Sequence, residues 1–158
     1  MPIVLRVPLL RRLVLRLPED TRVRREVLTR AIVWSYQQFN ATGRLPQQLW
    51  TSDFVLNQTA TMLGTAGTFH GRERSQDVIT ELAEAFDDVR FDPEGVLNIA
   101  QYRFLAAVRF SGVGAESGIR TDQLIAHSFT LDAEAGLVSR LDVYWELPEA
   151  LKAEGLQT

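Results

Sequence analysis

The chain has 158 residues, a length typical of one domain whose core is large enough to fold without metal or disulfide staples. It contains no cysteine, which excludes a disulfide framework, a thiolate zinc site and a cysteine nucleophile. It contains two histidines. A net charge of −3 and a 46% hydrophobic content argue against a dedicated nucleic-acid binder and against a disordered chain.

Residues 1–20 form a basic extension that prolines and arginines interrupt. No apolar run in it approaches the roughly 20 residues that cross a bilayer, and none resembles the unbroken core of a secretory signal. Residues 9–17 could lie on a membrane surface as a basic amphipathic helix, but a mobile or loosely packed terminus is the favoured interpretation. We therefore expect a cytoplasmic protein with an extension at 1–20 and a single domain at 21–158.

Helical signals dominate the first half of the domain. Val23, Val27, Ala31 and Trp34 recur at helical spacing, and Gly43 is a typical residue for ending the helix. The predicted elements are, in chain order, a helix from 20 or 21 to about 40, a short helix at 46–50, a strand at 53–58, a glycine-containing connection at 61–70 with an extended end, and a helix at 71–86.

The pattern then alternates with a period of two, which indicates strands. Four long strands are predicted at 89–99, 101–111, 119–131 and 137–146, followed by a helical turn at 148–154. Helices followed by antiparallel strands predict an α+β fold, with a long sheet curling around the first helix.

His127 is the sharpest candidate for function. It shares one strand face with Ile125, Phe129 and Leu131, and that face should point at the helices. An imidazole there could donate a hydrogen bond to a substrate oxygen or move a proton, with Phe129 as an apolar neighbour. The alternative is a core histidine with an internal hydrogen-bond partner.

Asp142 is the second candidate, because it shares a strand face with Tyr144. On a pocket wall, that carboxylate could act as a general base beside an oriented phenol; on an outer face it would be solvated. Asn57 or Gln58 should point inward from the first strand, and a single-residue register decides which. The aromatic residues Trp34 and Tyr36 on the first helix would line a pocket or fill the core.

Several segments resemble SnoaL-like proteins of the nuclear-transport-factor-like and ketosteroid-isomerase-like superfamily. The matching segments, which span roughly residues 22–156, are 36–41 (YQQFNA), 67–73 (GTFHGRE), 84–91 (EAFDDVRF), 126–131 (AHSFTL) and 143–151 (VYWELPEAL). The resemblance implies a cone-shaped α+β roll, with N-terminal helices packed in the concave face of a curved, mainly antiparallel sheet. It also implies a homodimer and a pocket for a small hydrophobic molecule, with no cofactor and no metal.

The resemblance also implies roles for particular residues. Gln58 falls where ketosteroid isomerases carry their catalytic aspartate, and His127 falls at their oxyanion-hole acid. Asp142 matches the water-activating aspartate of limonene epoxide hydrolases, and Asn57 matches their water-binding asparagine. These positions predict a cofactor-independent isomerase, cyclase or epoxide hydrolase, with His127 as acid or donor, Asp142 as base and Asn57 or Gln58 as the orienting amide. The alternative is a non-catalytic ligand-binding or protein-interaction module of the same fold.

Overall fold

The structure is a computed structural model that describes residues 1–59 and 66–156, so part of the predicted connection at 61–70 lies outside the described residues. The elements are, in chain order, α1 (Ile3–Arg6), α2 (Pro8–Leu15), α3 (Arg22–Thr42), a short 3-10 helix (Gln47–Leu49), β1 (Trp50–Gln58), β2 (Gly67–His70), α4 (Arg72–Glu84), β3 (Phe86–Ala100), β4 (Arg103–Gly114), β5 (Arg120–Leu131), β6 (Val138–Tyr144) and α5 (Leu147–Ala153).

The described strands form one curved, unclosed sheet in the order β2-β1-β6-β5-β4-β3. Strand β1 runs parallel to β6, and every other neighbouring pair is antiparallel. Helix α3 packs against β3, and α4 packs against β1 and β3, so the long strands curl around the helices. The α+β fold predicted from the order of the elements and the cone implied by the resemblance are both confirmed.

The residues that α3 buries against the sheet differ from the ones that its sequence predicts. Val23 is 56% exposed, and the buried positions at helical spacing are Leu28, Ile32, Tyr36 and Phe39. Because a helix turns about 100° per residue, moving the stripe by one position brings Tyr36 rather than Trp34 into the core.

Two features fix the end of α3 above the sheet. Gly43 has a φ of +69°, a left-handed conformation that favours glycine, and its N–H donates to the Phe39 carbonyl at 2.7 Å. Asn40 accepts a hydrogen bond from the Phe91 backbone N–H at 2.9 Å and donates to the Phe91 carbonyl at 3.0 Å. These contacts hold the last turns of α3, which carry Tyr36, at a set position over β3.

The N-terminal extension contributes to the core of the cone, whereas the sequence favours a mobile or loosely packed terminus. Leu5 and Leu15 belong to the main hydrophobic core. The Gln101 amide donates to the carbonyls of Leu15 at 2.6 Å and Leu17 at 3.1 Å. Pro8 opens α2, where a missing N–H costs no helical hydrogen bond, so that proline starts a helix instead of breaking one.

The described part of the chain holds no helix with both the length and the apolar character that crossing a membrane requires.

Substitutions in α2 distinguish a packed segment from a mobile one. Leu15 is 5% exposed and Leu13 is 50% exposed, although both are leucines on the same helix. We expect Leu15→Ala to lower the free energy of unfolding by about 2–3 kcal/mol through lost burial and a residual cavity, and Leu13→Ala to change it little. Urea denaturation of the two variants measures this. Equal, small effects would show that the extension does not contribute to the core.

Candidate functional site

Strand pairing sorts the predicted site residues onto two faces of the sheet. In the ladder of β1, β6 and β5, Gln58 pairs with Val143 and Val143 with His127, so these three side chains form one row on the inner face. One residue away, Asn57 pairs with Asp142, and Asp142 pairs with Ser128. That second row points to the outer face, so Gln58 is the inward amide and Asn57 is not.

Tyr36 reaches the inner row from α3. Its hydroxyl forms a hydrogen bond with Nδ1 of His127, and the two side chains are 2% and 5% exposed. The ring of Phe91 lies 5.7 Å from the His127 ring and 6.2 Å from the Tyr36 ring, centroid to centroid. The pair is therefore enclosed by aromatic carbon on the side of β3.

Burial sets the protonation state of this pair. It lowers the pKa of His127 to about 3 and raises the pKa of Tyr36 well above its usual value, so both are neutral at physiological pH. If Nδ1 accepts from the hydroxyl, the imidazole keeps a proton on Nε2; if Nδ1 donates, the tyrosine keeps its own O–H. In either tautomer the pair retains one donor besides the hydrogen bond between its members. Burial therefore leaves a neutral hydrogen-bond donor in the interior, because it lowers the pKa of the His127 imidazole.

An inner cavity of about 30 Å³ lies beside the pair, with room for about two water molecules. Its lining is mostly apolar, and no lining residue among those described is a carboxylate or a permanent cation. Trp145 also lines it, and the buried indole N–H of this residue meets no acceptor among the described residues. The residues with polar side-chain atoms around this cavity are Tyr36, Gln58, His127 and Trp145.

A second cavity, the N-terminal cavity, of about 80 Å³, lies between the N-terminal helices and the sheet, and its lining is also mostly apolar. Ser35 lines it on α3, one residue before Tyr36, and Phe129 lines it on β5, two residues after His127, whereas Tyr36 and His127 line the inner cavity. Leu5 and Leu15 close it on the side of the extension. The two cavities therefore follow one another along the inside of the cone.

Asp142 lies on the opposite side of the sheet, in an ionic network. Its carboxylate accepts from Asn57 at 2.9 Å and from two nitrogens of Arg140 at 2.8 and 3.0 Å, and Arg103 lies 3.5 Å away. Arg103 in turn binds both carboxylate oxygens of Glu154, at 2.5 and 2.7 Å. A carboxylate held by these partners stabilises the outer face and does not share a pocket with His127.

The pKa of Glu154 reflects its hydrogen bonds within this network. Burial alone would raise the pKa of its carboxyl group, but hydrogen bonds from Arg103 and Ser128 outweigh that effect and hold the pKa below its usual value. Arg103 and Glu154 are 51 residues apart, and no sequence pattern links them. Their pairing was therefore missed by reasoning from the sequence.

The remaining predicted residues divide in the same way. Phe129 lies on the inner face and stacks on Phe104 with 5.1 Å between ring centroids. Tyr144 is buried on the outer face in a small cluster with Leu105, Ala126 and Ala150, and burial raises its pKa. Trp34 packs partly buried against the core and lines neither cavity. Trp145 was missed as a polar residue of the pocket, although the alternation that places Tyr144 on one face places Trp145 on the other.

Comparison with protein families finds no match, and comparison with curated proteins finds none either. Solved structures do match. A putative SnoaL-like polyketide cyclase from Jannaschia sp. CCS1 superposes with a TM-score of 0.65 at 15% identity, covering 89% of this chain and 100% of that one. A hypothetical protein with a ketosteroid isomerase-like fold from Catenulispora acidiphila, in complex with trimethylamine, gives 0.57 at 18% identity over 83% and 92%.

A Mycobacterium tuberculosis protein in complex with estradiol-17β-hemisuccinate gives a TM-score of 0.57 at 15% identity, covering 76% of this chain and 94% of that one. Identities this low establish the fold and not the activity. The expected nuclear-transport-factor-like and ketosteroid-isomerase-like fold is confirmed.

The neutral state of buried His127 predicts how stability depends on pH. In the unfolded chain an imidazole gains a proton as pH falls through its ordinary pKa of about 6.5, whereas folded His127 stays neutral down to about pH 3. Protonation therefore stabilises the unfolded state alone, and we expect the free energy of unfolding to drop by about 2 kcal/mol between pH 7 and pH 5.

Urea denaturation of the wild type and of two variants at both pH values measures this dependence. His127→Gln should lose the pH dependence in this range, and His70→Gln, which alters the exposed second histidine, should keep it. A wild-type stability that is flat between pH 7 and pH 5 would contradict a neutral His127.

Proposed function

We propose that this chain, which has the nuclear-transport-factor-like fold, binds a small, uncharged, mostly apolar molecule that carries an acceptor oxygen. The oxygen would sit in the inner cavity, near the Tyr36–His127 pair and Gln58. The apolar body would extend toward the N-terminal cavity. Ketones, epoxides, lactones and polyketide-like compounds have this chemistry.

The observation that carries the proposal is a small set of neutral hydrogen-bonding groups inside otherwise apolar walls. The Tyr36–His127 pair retains one donor, and the buried Trp145 N–H adds a donor that meets no acceptor among the described residues. Leaving a buried donor unsatisfied costs about 1–3 kcal/mol. An acceptor oxygen in the cavity would recover part of that cost, and this favours ligands with a carbonyl or ether group.

The same groups disfavour charged ligands. No carboxylate and no permanent cation is among the described residues that line the inner cavity, and burial keeps the imidazole neutral. An ionised group placed there would lose its hydration without gaining a counter-charge.

Binding is a better account than catalysis by the acid–base mechanism that the resemblance implies. That mechanism needs a base in the pocket, but the inward position on β1 is occupied by Gln58, whose side chain is an amide and not a base. The carboxylate of Asp142 is across the sheet, held by Arg140 and Asn57. Donors of the Tyr36–His127 type could polarise a carbonyl, but an amide does not remove a proton from carbon.

The structural neighbours support small-molecule binding as a use of this fold. Two of those described above are in complex with trimethylamine and with estradiol-17β-hemisuccinate. We also retain two further proposals, a homodimer from the resemblance and a cytoplasmic location from the sequence of residues 1–20. Sedimentation velocity of the full chain tests the first, and a species of one chain mass at all concentrations would contradict it.

Calorimetric titration with pairs of ligands tests the proposed binding mode. Each pair is an apolar ketone, epoxide or lactone and the hydrocarbon of the same skeleton. We expect Gln58→Leu to weaken binding of the oxygen-bearing member about tenfold, because it removes one buried hydrogen bond to the ligand. Tyr36→Phe should weaken it to a similar extent, because it removes either the ligand's donor or the hydroxyl that fixes the tautomer of His127. Binding of the hydrocarbon should change little.

Asp142→Asn is the matched control, since Asp142 lies next to Val143, the strand partner of Gln58, but faces away from the cavity. It should destabilise the fold and leave ligand affinity unchanged. If Asp142→Asn weakened binding as strongly as Gln58→Leu, or if no ligand of this chemistry bound to the folded protein, the proposal would be wrong.

A further inference from the structure

Exposed apolar side chains are concentrated at the N-terminus. Of the eight large hydrophobic residues with exposed side chains among those described, five lie between residues 3 and 13. Ile3 is 73% exposed, Leu9 63% and Leu13 50%, values expected of a surface that something else covers. The five residues are Ile3, Val7, Leu9, Leu10 and Leu13.

Helix α2 has two apolar faces, of which one is buried in the core and the other is exposed. Leu15 is buried in the core and lines the N-terminal cavity. Leu9 and Leu13 lie four residues apart on one side of the helix, and Leu13 is about 200° around the axis from Leu15. The exposed pair therefore points away from the core, and half or more of the surface of each side chain is open to solvent.

Cations flank this outward stripe. Residues 1–18 hold four arginines and no acidic residue, although the whole chain has a net charge of −3. Arg6, Arg12 and Arg16 are exposed, and no described carboxylate forms an ion pair with any of them. The remaining arginine, Arg11, turns inward and donates to the Leu5 carbonyl at 2.5 Å.

We infer that α1 and α2 dock onto the surface of a lipid bilayer with anionic headgroups. Leu9 and Leu13 would enter the boundary between headgroups and acyl chains, as apolar faces of interfacial helices do. Arg12 and Arg16 would lie at the level of the phosphates. The inference does not depend on the proposed ligand, because it uses the opposite side of α2 from the N-terminal cavity.

Charge also disfavours a second copy of this chain as the occupant. A two-fold contact through the same stripe would bring Arg6, Arg12 and Arg16 of one copy against those of the other. The like charges would repel, whereas an anionic bilayer supplies the opposite charge over the whole stripe. Arginines beside exposed leucines therefore fit a membrane better than a symmetric dimer.

Flotation of the full chain with lipid vesicles tests the inference. One set of vesicles is phosphatidylcholine alone and the other is equimolar phosphatidylcholine and phosphatidylglycerol. We expect binding to the anionic vesicles that weakens as salt is added, and much less binding to the neutral ones. Arg12→Gln with Arg16→Gln should weaken binding to anionic vesicles about 25-fold, because each cation near the surface contributes a factor of about five.

Leu9→Ser with Leu13→Ser should weaken it about tenfold or more, because the apolar area that enters the bilayer is lost. The matched control is Leu97→Ser with Ile119→Ser, two side chains of similar exposure elsewhere on the protein, at 52% and 66%. This control should bind as the wild type does, and thermal melts should show that all variants are folded.

Two outcomes would overturn the inference. The first is equal flotation of the wild type, the Leu9 and Leu13 variant and the control with anionic vesicles. The second is self-association of the wild type in sedimentation that the Leu9 and Leu13 variant abolishes, without binding to either kind of vesicle.

Discussion

The alternation of side chains across three paired strands is the constraint on which the rest of this structure depends. Strands β1, β6 and β5 are aligned so that Gln58, Val143 and His127 share an inner row, while Asn57, Asp142 and Ser128 share an outer one. A slip of one residue in β6 would turn the Asp142 carboxylate toward an apolar interior and away from its partners on other strands, Asn57 and Arg103. The ionic network on the outer face and the neutral pocket on the inner face therefore support the same register.

This separation of charge explains what the interior can do. Ionic groups such as Asp142, Arg103 and Glu154 are paired on the outer face, where their hydrogen bonds offset the cost of burial. The inner cavity is left with a phenol, an imidazole, an amide and an indole, all uncharged at physiological pH. Such a lining holds a ligand oxygen in place through hydrogen bonds. It lacks an ionised base among the described residues, so binding follows from it more directly than proton transfer does.

Sequence reasoning reached the fold because its signals are local. The switch from helical to alternating periodicity, the helix end at Gly43 and the inward face of His127 all depend on neighbouring residues. The choice between Asn57 and Gln58 and the outward direction of Asp142 depend on which strands pair and at what register. No single segment of the chain specifies the pairing or the register. The packing of Leu15 was not predicted for a similar reason, because the amide that binds its carbonyl comes from distant Gln101.

The central claim is that the interior of the cone is a neutral hydrogen-bonding pocket built around His127. Nitrogen-15 NMR of its imidazole, followed from pH 7 to about pH 5, tests that claim most directly. The account predicts the shifts of a neutral ring throughout this range, and a change at one ring nitrogen when an apolar ketone binds. Movement of both nitrogens to imidazolium values, with a midpoint near the unperturbed 6.5, would contradict it.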